Sequence, residues 1–213
     1  LSADPCPVCR GPRVESFCSV EGRDWFRCRD CAATFLNRAQ LPDPAAEAAR
    51  YRRHENRADD PDYVAHLARL AAPMLARLRP SSSGLDFGCG PSPALARLFE
   101  AAGHTVARYD PLFEPDRAAL DRTCDFIAAA EVAEHLHDPA GEFERLAGLL
   151  RPGGILGVMT RLLEDDAGFA TWHYRRDFTH VVFYKVETFE SLARRLGWAA
   201  EFPAPDIILL RGC

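Results

Sequence analysis

Cys6-Pro7-Val8-Cys9 and Cys28-Arg29-Asp30-Cys31 form two CxxC pairs with eighteen residues between them. Each CxxC turn aims two thiols at one point, and four thiolates converging from two such turns make a tetrahedral metal site. The spacing is that of a zinc ribbon, and the donor set predicts zinc ahead of iron. A redox disulfide would need only one of the pairs. Residues 1–40 hold too few apolar side chains to fold alone, so metal is expected to supply their stability, on the order of 10–16 kcal/mol apparent. Cys18, Cys89, Cys124 and Cys213 are expected to be unligated.

A second group starts at Leu85-Asp86-Phe87-Gly88-Cys89-Gly90. Two glycines here let the backbone turn sharply and approach a ligand closely at the mouth of a following helix. Asp110 comes twenty residues after Gly90, at the end of the next apolar run. A carboxylate so placed can accept hydrogen bonds from both ribose hydroxyls of an adenosine. Pro93 stands where a dinucleotide-binding G-x-G-x-x-G would require glycine, which disfavours a pyrophosphate. Asp86 is better suited to an ammonium group than to a phosphate. On these residues alone, a glycine turn in an unrelated α/β protein is an equal reading.

The third group is Glu131, Glu134 and His135. At the start of a helix, positions i, i+3 and i+4 share one face, and such a trio can form part of a divalent-metal site. His180 is the expected fourth ligand. The plainer reading is a glutamate capping the helix and a hydrogen-bonded histidine that together shape a pocket. His173, Tyr174 and Tyr184 are candidates for lining a substrate pocket, with core packing as the alternative. Lys185, the only lysine, is expected to be a solvated surface group.

The elements that would position these groups follow from the hydrophobic pattern. Leu85–Phe87, His104–Tyr109, Asp125–Ala130 and Ile155–Thr160 read as strands. They alternate with helices from Ser92 to Ala102 and from Asp138 to Leu150, and Arg151-Pro152-Gly153-Gly154 reads as a tight turn. Glu187–Leu196 reads as a last helix, and Trp198–Phe202 with Ile207–Leu210 as a closing hairpin. Alternation of this kind predicts a mostly parallel sheet with helices on both faces. Upstream, residues 41–82 form a helical linker or cap, with Tyr63, Leu67, Leu70, Met74 and Leu78 at helical spacing, and Arg79-Pro80-Ser81-Ser82-Ser83-Gly84 ends the helix as a short linker into the next part. Three parts result: 1–40, 41–82 and 83–213.

Twenty-six basic against 31 acidic residues give a net charge of -5, with no basic stripe of the kind phosphate binding uses. Nucleic acid is therefore disfavoured as a partner. No apolar stretch approaches the roughly 18–20 residues of a membrane span, and no signal-peptide pattern opens the chain. The expected setting is a reducing cytoplasm.

LDFGCG, GHTVARYDP, CDFIAAAEVAEHLHDP and LLRPGGILGVMT, in this order and spacing, resemble a class I, Rossmann-like methyltransferase over roughly residues 83–213. The resemblance implies that Asp86, Gly88, Cys89 and Gly90 cradle the methionine end of S-adenosylmethionine. It likewise assigns the ribose to Asp110 beside Pro111, with Glu131 at the cofactor mouth. Two departures stand out. Pro91-Ser92-Pro93 replaces the usual third glycine, and only 14 residues, 111–124, separate Asp110 from Asp125, so the strand carrying the acidic adenine contact is shortened or missing. Asp121 is the candidate left for that contact.

Glu131, Glu134, His135 and His180 also resemble the ExxEH-plus-His sets of small-RNA 2′-O-methyltransferases and ubiquinone-pathway O-methyltransferases, where a divalent cation holds substrate oxygens. That likeness implies catalytic roles for these four residues, with His135, His180 or a metal assisting deprotonation. Four-cysteine N-terminal modules are found as well in some ribosomal-RNA base methyltransferases and deoxysugar C-methyltransferases, so the module is a substrate lid or a recognition element. The leading expectation is methyl transfer to a small-molecule acceptor, oxygen favoured. RNA methylation and non-catalytic S-adenosylmethionine binding are the alternatives.

Overall fold

The computed structural model describes residues 4–53 and 57–212. Strands β1 (Val14–Val20) and β2 (Arg23–Cys28) form a hairpin whose two-residue turn, Glu21-Gly22, takes positive φ at both positions, as a tight hairpin requires. A third short strand, β3 (Thr34–Leu36), follows the second cysteine pair. Helices α1 (Pro44–Tyr51) and α2 (Pro61–Leu75) each start at an Asp-Pro step. Asp43 and Asp60 accept hydrogen bonds from the first free N–H groups, and the proline occupies a position where no N–H is needed. Then come β4 (Ser83–Phe87), α3 (Ala94–Ala101), β5 (Thr105–Tyr109), β6 (Cys124–Ala130), α4 (Pro139–Leu149) and β7 (Leu150–Met159). The chain ends with β8 (Val182–Phe183), α5 (Val186–Leu196), β9 (Trp198–Ala204) and β10 (Ile207–Gly212).

The central sheet has the order β5-β4-β6-β7-β10-β9. Its first four strands are parallel, and β10 and β9 close it as an antiparallel hairpin. Successive strand residues face opposite sides. Phe126, Ala128, Ile155, Met159, Ile207 and Leu209 pack under Leu67, Leu70 and Met74 of α2 and Leu95 and Phe99 of α3. Ile127, Ala129, Leu156, Val158, Ile208 and Leu210 pack under Phe143 and Leu146 of α4 and Phe189 and Leu192 of α5. The α2 stripe thus covers one face of the sheet.

Three local differences from the sequence reading have simple causes. Ser83 and Gly84, read as linker, belong to β4, because the fully buried Phe126 ring lies across Gly84 and leaves no room for a side chain. A Cβ on Gly84 would meet ring atoms of Phe126 at 2.1 to 2.5 Å. Gly84→Ala should therefore cost about 1–3 kcal/mol through overpacking, read as a lower urea midpoint with unchanged slope. Residues 151–154, read as a turn, are drawn into β7 as an irregularity, since pairing resumes from Cys124↔Leu150 to Phe126↔Ile155 around Gly153 at φ +74. Between β5 and β6 the described chain forms only an Asp110↔Glu114 bridge and a 3-10 turn, Arg117–Leu120, which leaves β5 as the sheet edge.

A second, antiparallel sheet has the order β1-β2-β3-β8. Its last strand comes from the far half of the chain, through Thr34↔Phe183 and Phe35↔Val182. Trp25 and Leu36 share a small core with Leu163, Phe169, Val181 and Phe183. Further ties run from the Ala140 N–H to Pro7 O (2.9 Å), from Arg195 to Val8 O (2.9 Å) and from Arg27 to both oxygens of Asp166. The cysteine-bearing segment is thereby built into the body of the protein. No helix among the described residues is long and apolar enough to cross a membrane.

Candidate functional site

β4 delivers Asp86 to its C-terminal end, where the backbone turns through Gly88 (φ +71) and Gly90 (φ +59). A Cβ on Gly88 would strike Val132 Cγ2 at 2.5 Å, whereas one on Gly90 would meet nothing within 4 Å. The first glycine is needed for packing, and the second opens onto free space. Gly88 and Cys89 donate their N–H groups to Tyr109 O, and the Gly90 N–H donates to Asp110 Oδ2 at 3.0 Å. Asp110 Oδ1 accepts from the Leu112 and Phe113 N–H groups at 2.8 and 3.0 Å. The turn and the Asp110 carboxylate are thus one hydrogen-bonded unit, with Pro111 exposed beside it.

Asp86 is buried, and its Oδ2 has no hydrogen-bond partner among the described residues. Burial pushes its carboxyl up to about 7, against the pull of Arg108 and with a further push from Asp110. An unmatched buried carboxylate oxygen calls for a donor, and an ammonium is the donor that would also favour its charged form. Cys89 is buried with its thiol pushed up to about 12, chiefly by burial, so it is a lining group rather than a nucleophile. Asp121 is exposed at the end of the 3-10 turn.

Glu131, Glu134 and His135 do not share a helix face, which corrects the sequence reading. Glu131 takes φ +55, and only Ala133–His135 form a single 3-10 turn. The Tyr174 hydroxyl instead joins the two acids, 2.9 Å from Glu131 Oε2 and 2.5 Å from Glu134 Oε1. Thr160 Oγ1 donates to Glu134 Oε2 at 2.9 Å. One phenolic proton cannot serve two carboxylates, so the fully buried Glu134 is the protonated member. Burial, reinforced by the charge of Glu131, pushes it up to about 8. For Glu131 burial opposes ionisation, but hydrogen bonds from His66 and Tyr174 outweigh it and hold the carboxyl below its ordinary value.

His135 Nδ1 donates to Thr179 O at 3.0 Å and His180 Nδ1 to Tyr174 O at 2.7 Å, which leaves an Nε2 lone pair on each neutral ring. The rings lie 4.7 Å apart. Burial pushes His135 down to about 3, helped by His180, and burial lowers His180 as well. One ligand atom from each of Glu134, His135 and His180 falls within 4.8 Å of the others, and Glu131 stays outside that group.

Cys6, Cys9, Cys28 and Cys31 bring their four sulfurs within 4.8 Å of one another. The Cys6–Cys31 and Cys9–Cys28 separations are 3.7 and 3.5 Å. Sulfurs about 2.3 Å from a tetrahedral zinc would stand about 3.8 Å apart. The Gly11 and Asp30 N–H groups each point at a cysteine sulfur from 3.3 Å, a pattern suited to thiolates. The donor set fits zinc. Cys18, Cys89 and Cys124 are unpaired, and Cys213 lies outside the described residues.

Beyond the end of β7 lies a cavity of about 700 Å³, lined by Arg69, Arg161, Trp172, His173 and Asp206 among others. A neighbouring cavity of about 410 Å³ is bounded by Arg50, His173, Tyr174, Phe178 and His180. His173 therefore faces both. Tyr184 lines neither: it is fully buried against Phe143 and Phe189, and its hydroxyl donates to Ala133 O at 2.8 Å, so its work is packing. Lys185 is also corrected, because its ammonium pairs with Asp166 at 2.9 Å and its side chain is largely covered. His66, absent from the sequence-based set, stands 3.3 Å from Glu131. Its only signal was its place on α2, one turn after Tyr63, since no motif marks it.

The family model described as "Methyltransferase domain" matches residues 49–201. No curated protein matches the sequence. Among solved structures, the chain is similar to the 1,6-didemethyltoxoflavin N1-methyltransferase of Burkholderia thailandensis, which holds 1,6-didemethyltoxoflavin and S-adenosylhomocysteine. Identity is 17%, the TM-score 0.53, and the match covers 92% of this chain and 97% of that one. A candidate methyltransferase from Bacillus halodurans is similar at 18% identity and TM-score 0.52, over 65% of this chain and 71% of that one.

Proposed function

The chain belongs to the methyltransferase-domain family, and from that premise we propose that it transfers the sulfonium methyl of S-adenosylmethionine to a small-molecule acceptor, with oxygen the favoured atom. The observation that carries this reading is the unmatched Asp86 oxygen beside the open Gly90 turn, coupled through the Gly90 N–H to Asp110. Asp86 would take the amino group of the donor, the backbone at Gly88 and Gly90 would lie against its methionine end, and Asp110 would accept from the ribose hydroxyls. The S-adenosylhomocysteine held by the Burkholderia relative supports the choice of donor.

The donor supplies a methyl already activated on its sulfonium. The chain's own work is then orientation, worth about 7–11 kcal/mol, and removal of the acceptor's proton. The acceptor would enter from the cavity beyond β7, at the carboxyl ends of the strands where ligands of open α/β sheets bind. Bound zinc would hold the N-terminal module together, and the module in turn braces the segment that lines both cavities. An RNA acceptor is less well supported, because Arg10, Arg13, Arg27 and Arg29 are each paired with a carboxylate and leave no basic stripe. A reducing cytoplasm would keep the four cysteines of the module as thiols ready for metal.

A divalent cation at Glu134, His135 and His180 is a second reading, favoured by the two Nε2 lone pairs fixed by Nδ1 anchoring. These residues would then hold an acceptor oxygen. Metal analysis of the wild type against Glu134→Ala separates the two readings: one zinc per chain in both variants removes the second cation. The function itself is tested by calorimetric titration with S-adenosylhomocysteine and with NAD. Binding of the first alone is expected, and uptake of a nicotinamide in its place would overturn the proposal.

A further inference from the structure

We propose that His66 is the general base of the transfer, with Nδ1 receiving the acceptor's proton while Glu131 holds the ring through Nε2. The inference rests on the methyl-transfer reading and gives its proton a destination. Glu131 leaves β6 in the left-handed region, uncommon for a residue with a side chain, and from there its carboxylate reaches α2. His66 Nε2 lies 3.3 Å from Glu131 Oε1. A carboxylate only accepts, so Nε2 bears the hydrogen and the Nδ1 of the neutral ring keeps its lone pair. Among the described residues no group hydrogen-bonds that Nδ1. This is the base-and-orienting-acid arrangement of activated nucleophile sites.

The carboxylate is itself held from behind. Tyr174 donates to its second oxygen, and Tyr174 is fixed in turn by Glu134 and Thr160. The pair also stands at the donor cradle. Val132, next to Glu131, closes on Gly88, and Tyr63, one turn before His66 on α2, lies close enough to the carboxyls of Asp86 and Glu131 for both to disfavour its ionisation. Side chains of His66 and Glu131 remain 39% and 36% exposed, open enough for a ligand to reach. His135 and His180 are less open to a ligand, their exposure being 16% and 8%.

In the transfer, His66 Nδ1 takes the acceptor's proton and the freed oxygen pair forms the new bond to the methyl carbon. The carbon–sulfur pair returns to sulfur, leaving a neutral thioether. The imidazolium beside Glu131 afterwards gives its proton to water.

Diethyl pyrocarbonate, which acylates accessible neutral imidazoles, tests this on the metal-loaded full chain with mass mapping of each histidine. His66 should react, and saturating S-adenosylhomocysteine should slow it at least fivefold while leaving exposed His173 unchanged. His66→Gln should bind S-adenosylhomocysteine within twofold of wild type. With an acceptor found by screening for S-adenosylhomocysteine release, His66→Ala should lose about 10²–10⁴-fold in turnover and regain part of it with added imidazole. Binding without protection of His66 overturns the inference alone. A tenfold weaker nucleoside affinity in His66→Gln would also overturn it, by making His66 a donor contact. No nucleoside binding to the wild type would remove the methyl-transfer reading and this inference with it.

Discussion

With zinc held by the four-cysteine cluster as proposed, chelating it, or replacing Cys28 and Cys31 by serine, is expected to collapse the whole N-terminal sheet and to lower the melting temperature of the entire chain. The reason lies in where the thiols sit. Cys6, Cys28 and Cys31 are buried and pack in the same core as Tyr184, Phe189 and Leu192, so the cluster is continuous with the α5 side of the central sheet. Structural zinc contributes on the order of 10–16 kcal/mol apparent, comparable with the whole net stability of an ordinary domain, about 5–15 kcal/mol. Loss of the ion would release β3 from β8 and uncover Trp25. The check is thermal unfolding with near-ultraviolet circular dichroism and zinc analysis on one sample. A Cys28→Ser/Cys31→Ser variant that keeps the wild-type melting temperature and Trp25 signal would refute the expectation.

Donor affinity should rise with pH to about 7 and then level off, and Asp86→Asn should weaken it about 10–150-fold, the worth of a hydrogen bond to a charged group of about 1.5–3 kcal/mol. The sign follows from the direction of the shift. The Asp86 carboxyl is raised from 3.8 to about 7, so the empty protein favours its neutral form. That contribution to stability is fully present below the ordinary carboxyl range and fades as pH climbs through about 7. An ammonium ligand favours the opposite, charged form, and binding below about 7 must expel a proton, costing up to tenfold in affinity per pH unit. The neighbours that set this balance are Arg108, which favours the charge, and Asp110, which opposes it. Calorimetry with S-adenosylhomocysteine at pH 6 and pH 8 reads the effect directly. A flat profile in the wild type would show that Asp86 does not meet the amino group.

What the sequence made legible was whatever depends on neighbours along the chain. The spacing from Tyr63 to Leu78 marked α2, the run from Asp138 marked α4, and the stretches around residues 85, 106, 127 and 156 placed four parallel strands. The two-glycine turn with Asp110 was visible because a strand end and the next strand end are always adjacent in a parallel pair. The short spacing of residues 111–124 announced the missing strand. Hidden were the features that join distant segments. Val182 and Phe183 contain too few residues to show periodicity, so nothing marked them as partners of β3. The positive φ of Glu131 breaks the helical spacing of 131, 134 and 135, and no residue type announces such a conformation. His66 went unmarked because its meaning comes from Glu131, which reaches it only after folding.

The union of Thr34 with Phe183 also has a consequence for biosynthesis. A nascent chain leaving the ribosome presents both CxxC turns well before the strand that completes their sheet. Metal capture by the early hairpin would keep those thiols from wandering into wrong partnerships during the wait. Final docking must close a very long loop, a step that slows folding and leaves aromatic residues uncovered meanwhile. Expression in zinc-starved cells should thus yield aggregates before it yields a shortened but active enzyme.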